Sequence, residues 1–136
     1  MEGIKNLIFD FGGVLINIDR TAWRIAFEKL GIDSIHENVL DDYQQKELYR
    51  QLESGNIPAA AFRASMRRLT EQSLTDEQID SAWIAMLTDI PSYKLDWLLK
   101  LREHYHIMLL SNTNSIHWQW AVQNRFRYKN HEVDDF

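Results

Sequence analysis

Two short unbroken apolar runs stand apart in this chain, and the long stretch between them follows a helical rhythm. The first is Leu7-Ile8-Phe9 and the second is Ile107-Met108-Leu109-Leu110. Apolar runs of this length predict strands covered on both faces, as in a parallel sheet. Between them, Trp23, Phe27 and Leu30 recur at i, i+4 and i+7, one helical stripe, and Gly31 suits a left-handed C-terminal cap. A longer helical stretch runs from Val39 to Ser54, with Tyr43, Leu48 and Leu52 among its apolar positions, and Gly55 closes it. Pro58 sits where a first helical turn tolerates proline, and Phe62, Met66 and Leu69 repeat the spacing. Thr75 with Gln78 three residues on forms a capping box for a helix that buries Ile79, Ala82, Trp83 and Met86. Asp89-Ile90-Pro91 ends this block, because the residue before proline resists helix geometry. A helix from Ser92 to about His104 carries Leu95, Leu98, Leu99 and Leu101. After the second run a further helix starts at Ser115 and passes through Trp118, Ala121 and Val122, and the tail from Arg127 to Phe136 is polar without a clear period.

The order strand, four helices, helix, strand, helix predicts an α/β core interrupted by a helical insertion. Parallel strands need a crossover connection, but this one is far longer than a single crossover requires. The boundaries are 1–16 and 89–136 for a partial core and 17–88 for the insertion. At 136 residues the chain is about one domain and buries roughly two-thirds of its extended surface. Hydrophobic content of 45% with 26% charged residues is an ordinary globular composition. A net charge of −5 with scattered Lys and Arg argues against nucleic acid as a partner. With no cysteine, disulfide frameworks and thiolate chemistry are excluded. No apolar run approaches the roughly 20 residues that span a bilayer, and no leader pattern opens the chain, so no membrane partner and a cytoplasmic location are expected.

Chemistry concentrates where the two apolar runs end. Asp10 closes the first, at the strand end where open α/β sheets place ligands, and Gly12-Gly13 lets main chain approach a bound group. An ordinary Asp-Gly turn accounts for the same residues. Ser111-Asn112-Thr113-Asn114 closes the second run. A hydroxyl donor and free backbone N–H groups before a helix make an anion site, while Ser111 or Asn114 serving only as helix cap is the competing reading. The five histidines show no metal-ligand spacing.

Asp10-Phe11-Gly12-Gly13-Val14-Leu15 resembles the first signature of the haloacid dehalogenase (HAD) superfamily, and the "FDFGGVL" form resembles a branch that includes sugar-phosphate phosphatases. Leu109-Leu110-Ser111-Asn112 resembles its second signature. A helical cap between the two signatures is common there, so the resemblance covers essentially the whole chain. It implies a Rossmann-like parallel sheet with an inserted cap, and a Mg²⁺-dependent phosphatase of small phosphorylated metabolites. In that reading Asp10 is the catalytic nucleophile forming an aspartyl-phosphate, Ser111 and Asn112 bind phosphate, and Mg²⁺ is held by Asp10 and the backbone carbonyl of Gly12. Tyr43, Gln44 and Gln45 are candidate substrate-facing residues of the cap.

The match has gaps. Gly12 stands where the family's second aspartate protonates the leaving oxygen, with Asp19 as a stand-in acid or, alternatively, a helix N-cap. The family's third-signature lysine and fourth-signature acid have no counterpart in recognisable context. Lys129 lies in a polar stretch, and Val133-Asp134-Asp135-Phe136 reads as a loop or helix end. The chain is therefore expected to be C-terminally truncated and catalytically weak by itself, either as a fragment or as one copy of a homodimer that covers an open sheet edge. The alternatives are a carbon-attacking dehalogenase, which needs no Mg²⁺, and a non-catalytic phosphate-binding pseudoenzyme. A phospho-acceptor signalling domain ranks last, since it lacks a long helical insertion after its first strand.

Overall fold

The computed structural model of the chain describes residues 3–32 and 42–136, with the side chains of residues 42–46 outside that description. In order, the elements are β1 (Asn6–Phe9), α1 (Arg20–Lys29), α2 (Asp42–Glu53), α3 (Ala59–Arg67), α4 (Asp76–Ile84), α5 (Ser92–Arg102), β2 (His106–Leu109) and α6 (Ser115–Asn124). A 3₁₀ turn at Val133–Asp135 follows. The expected helix start at Val39 lies outside the described residues. The chain divides into a sheet unit (Met1–Ile18, Leu87–Thr113 and Trp118–Phe136) and a helical unit (Asp19–Met86 with Asn114–His117).

In the helical unit the apolar stripes meet in one core. Phe27, Ile32, Phe62, Met66 and Ile79 are completely buried, and Trp83 nearly so. Aromatic rings fill its centre: Trp83 lies 5.1 Å from both Tyr49 and Phe62, and 6.0 Å from Trp23, between ring centroids. Edge and offset contacts of this kind add to what burial alone supplies. The same burial pushes the Tyr49 phenol well above its ordinary pKa. Side chains fix the starts of α1 and α4, whereas α3 opens after Pro58 with no side-chain cap bond. Asp19 accepts from Ala22 N at 2.9 Å as the N-cap of α1, and the Thr75–Gln78 capping box opens α4 with both reciprocal bonds present. A fork from Arg63 to Asp80, at 2.8 and 2.7 Å, joins α3 to α4.

In the sheet unit β1 and β2 run parallel, with Asn6 opposite His106 and Phe9 opposite Leu109. Among the described residues they form a two-stranded sheet. One face carries the half-buried Phe9 and Ile107, which line an apolar hollow with Leu98, Trp118 and Phe126. The other face contradicts the expectation of strands covered on both sides: Ile8 is 61% exposed, Met108 43% and Leu110 72%. The physical reason is that side chains alternate across a strand, and among the described residues only one face has a layer packed against it. The chain leaves and re-enters this unit through paired backbone. Asn17 N donates to Asp89 O at 2.9 Å, Thr88 N donates to Asn17 O at 3.0 Å, and Ile18 bridges Leu87 antiparallel.

Candidate functional site

Pairing of β1 with β2 sets the geometry of the site. Leu110 N donates to Phe9 O at 2.9 Å, one step beyond the last paired residues. Asp10 and Ser111 therefore both leave the sheet at its carboxyl edge. Asp10 is exposed, and its Oδ1 accepts the backbone N–H of Phe11 at 2.7 Å. That bond orients the carboxylate through one oxygen. Oδ2 has no hydrogen-bond partner among the described residues.

After Asp10 the chain folds into a tight loop around one carbonyl. Phe11 O accepts from Val14 N, Leu15 N and Ile16 N at 3.3, 2.9 and 3.0 Å, and Gly13 N donates to Ile16 O at 2.8 Å. These bonds flank Gly12 and leave its own carbonyl without a hydrogen bond among the described residues. Gly13 has φ +76°, a left-handed conformation that side chains disfavour. Gly12 lacks that constraint, and a Cβ there would meet only Ile18 Cδ1 at 3.6 Å, ordinary contact. The ring of Phe11 anchors the loop, 2% exposed and 5.7 Å from the Trp118 ring.

On the β2 side Ser111 is half-buried and Asn112 exposed. Neither side chain has a hydrogen-bond partner among the described residues. The helix cap falls on Asn114 instead, whose Oδ1 accepts from His117 N at 3.0 Å. The capping reading thus holds for Asn114, while the Ser111 hydroxyl has no hydrogen-bond partner among the described residues.

Asp19 is engaged as a helix N-cap, and it lies in the helical unit. Lys129 pairs with Asp96 at 2.9 Å. Val133–Asp135 is a 3₁₀ turn with no strand before it. The side chains of Tyr43, Gln44 and Gln45 lie outside the described residues. No group of three or more His, Asp or Glu residues able to hold a metal occurs among the described residues. The donor set at the sheet edge is instead one carboxylate and one free carbonyl, both hard oxygen ligands. That set suits Mg²⁺, which keeps several waters and shares a site with substrate phosphate. Among the described residues no helix is long and apolar enough to cross a membrane.

What the sequence left unremarked is a buried polar pair. Asn114 and His117 are each 5% exposed and lie against Trp83. Their i, i+3 spacing from a helix cap was legible; Trp83, 31 residues from Asn114 along the chain, was not.

No family model matches the chain. It is 38% identical over 133 residues to a curated D-ribitol-5-phosphate phosphatase of Bacteroides thetaiotaomicron, covering 98% of this chain and 64% of that protein. A HAD family enzyme of the same organism, solved with magnesium and inorganic phosphate, superposes with a TM-score of 0.90 at 48% identity, over 98% of this chain and 66% of that one. A predicted HAD-like hydrolase of Porphyromonas gingivalis does so with a TM-score of 0.81 at 35% identity, over 96% and 62%. The chain thus spans slightly less than two-thirds of the proteins it matches. Its strand-end aspartate, its glycine loop and its near-complete alignment to these proteins agree: the chain belongs to the haloacid dehalogenase (HAD) family.

Proposed function

We propose that these residues carry the nucleophile and phosphate contacts of a Mg²⁺-dependent phosphatase acting on small phosphorylated polyols or sugars. One observation carries the reading. A carboxylate with one oxygen oriented and the other free stands at the carboxyl edge of a parallel strand pair, and the neighbouring strand ends in a free hydroxyl and amide. The names of the curated relative and of the magnesium–phosphate complex support the substrate class and the metal.

In this scheme Asp10 Oδ2 attacks phosphorus as the bond to the ester oxygen breaks, giving an aspartyl-phosphate and an alkoxide that takes a proton from water. Water then attacks the phosphorus of that intermediate, the bond to Asp10 breaks, and inorganic phosphate leaves. Ser111 Oγ and the Asn112 amide donate hydrogen bonds to phosphoryl oxygens. The Phe11 N–H holds Oδ1, so the attacking oxygen keeps one orientation. Asp10 and the Gly12 carbonyl would hold Mg²⁺, which when bound offsets the negative charge of the phosphoryl group. The helical unit is proposed as the cap, and a cytosolic setting fits a cysteine-free chain of this kind.

The test is a panel of polyol, sugar and aryl phosphate monoesters with and without Mg²⁺, run on the protein in which these residues occur in the cell, as wild type and as Asp10→Asn. Phosphate release that requires Mg²⁺ and falls to background in Asp10→Asn is expected. Turnover retained in Asp10→Asn, or metal-independent halide release from 2-haloacids, would contradict the reading.

A further inference from the structure

We infer that Lys94 is a positioning residue for the Asp10–Gly13 segment: its ammonium closes the turn that presents the Gly12 carbonyl and the Asp10 carboxylate. The inference rests on the reading of Asp10 and the Gly12 carbonyl as the groups that hold Mg²⁺. Its observation is separate: a contact from the start of α5 to the far end of that turn, 80 residues earlier in the chain and inside the same sheet unit.

The turn is held firmly at its two ends and loosely in its middle. Phe11, Leu15 and Ile16 are buried, and the Phe11 ring stacks on Phe126 at 6.0 Å. Gly12, Gly13 and Val14 between them are exposed. Apolar burial therefore fixes where the turn begins and ends, not how its apex lies. Two consecutive glycines give that apex more backbone freedom than other residues would. The N–H groups of Val14, Leu15 and Ile16 are all spent on Phe11 O. The Val14 and Leu15 carbonyls are left as the open end of a helix-like turn, with no backbone donor among the described residues.

Lys94 supplies the missing donor. Its Nζ donates to Val14 O and lies 3.5 Å from Leu15 O, and it has no carboxylate partner among the described residues. A cation favours such a carbonyl end and can cap both oxygens. For α5 itself the placement is poor. Lys94 stands in the first turn of a helix with no side-chain cap and no acidic residue there, where positive charge opposes the macrodipole. A local rule broken in one element and answered in another marks a role in tertiary structure. With the Val14 and Leu15 carbonyls tied back, Gly13 N stays on Ile16 O at 2.8 Å. The Gly12 carbonyl then stays outside the turn's own hydrogen bonds. Partners that orient ligating groups in this way are typically worth about 10–100-fold in metal affinity or activity.

The experiment uses the protein in which these residues occur in the cell, as wild type, Lys94→Met and Lys100→Met. Methionine keeps an unbranched stem but has neither charge nor donor. Lys100, exposed on the same helix, controls for the loss of a positive charge. Two quantities are measured: hydrogen exchange of the Gly13, Leu15 and Ile16 amides by NMR without metal, and Mg²⁺ affinity by calorimetry. In Lys94→Met those three amides are expected to exchange roughly tenfold faster, the opening that follows loss of a charge-assisted hydrogen bond. The Phe27 amide, in the helical core, is expected to exchange as in wild type. Mg²⁺ binding is expected to weaken roughly 10–100-fold, and Lys100→Met to leave both quantities near wild type. Unchanged exchange or unchanged Mg²⁺ affinity in Lys94→Met, or a Lys100→Met that matches it, would overturn the inference. If Lys94→Met fails to fold, Lys94→Ala, a strong helix former, replaces it with the same expected outcomes. If wild type binds no Mg²⁺, the metal reading falls, while the exchange rates still decide whether Lys94 holds the turn.

Discussion

Phe27, Phe62, Met66 and Ile79 of the helical unit are wholly out of solvent, whereas Ile8, Met108 and Leu110 of the sheet unit, no less apolar, stand largely in it. The contrast separates two jobs. Packed rings give the helical unit its stability from within, even though Trp23 Nε1 and Tyr49 OH are buried there with no hydrogen-bond partner among the described residues. The sheet unit keeps its polar end free: Asp10 Oδ2, the Gly12 carbonyl and the Ser111 and Asn112 side chains have no hydrogen-bond partner among the described residues. These unpaired groups are exposed or half-buried, unlike the two unpaired atoms of the helical core.

The contrast can be broken most severely at the helical core. Phe27→Ala should cost about 3–5 kcal/mol, the usual range for emptying a buried aromatic site, measured by urea unfolding followed through tryptophan fluorescence. A loss below 1 kcal/mol would mean the core is not as closed as its burial indicates.

Acid gives the next largest effect. The folded His117 has a pKa of about 4, below the ordinary value near 6.5. The unfolded chain thus takes up a proton between those values that the folded chain refuses. Stability should fall as pH drops from 6.5 to 4, by about 3 kcal/mol, with no contribution from this group above 6.5. His117→Gln should remove that part of the slope in unfolding curves taken across the range. An unchanged slope would contradict a buried neutral imidazole.

At the sheet edge, Gly12→Asp should sharpen the contrast by changing chemistry without changing stability. A Cβ there meets only Ile18 Cδ1 at 3.6 Å, and a carboxyl group could protonate the leaving oxygen. General acid catalysis is worth about 10²–10⁴-fold. The turnover of alkyl phosphates is therefore expected to rise toward the lower end of that range, and aryl phosphates, with good leaving groups, to gain little. Equal gains on both classes would refute the leaving-group argument.

Two smaller effects complete the series. Thr75→Ala should cost about 1 kcal/mol by removing the N-cap of α4. Ile8→Thr, on the open sheet face, should shift the unfolding free energy by less than about 0.5 kcal/mol. A large loss there would show that the exposed face is covered in solution.

Local signals are legible in the sequence. The Thr75–Gln78 box, the Asp19 cap, the glycine turns and the spacing of Phe62 and Met66 each depend on residues within a few positions of one another, and each formed where the spacing placed it. The positions of Asp10 and Ser111 just past the strand ends are legible from the change from apolar to polar there. Two things were not legible. Periodicity reports that Leu7-Ile8-Phe9 is apolar but not how many layers pack against it, so the exposure of Ile8 was missed. The Asn114–His117 pair was missed because its meaning comes from Trp83, a residue the helical stripe marks only as core.

The central claim is that Asp10 accepts phosphorus, and a phosphate mimic addresses it most directly. Adding beryllofluoride with Mg²⁺ and locating it by crystallography should place beryllium on Asp10 Oδ2, with fluorines facing Ser111 Oγ and the Asn112 amide. Beryllofluoride bound elsewhere, or density on Asp10 with Ser111 turned away, would contradict the account.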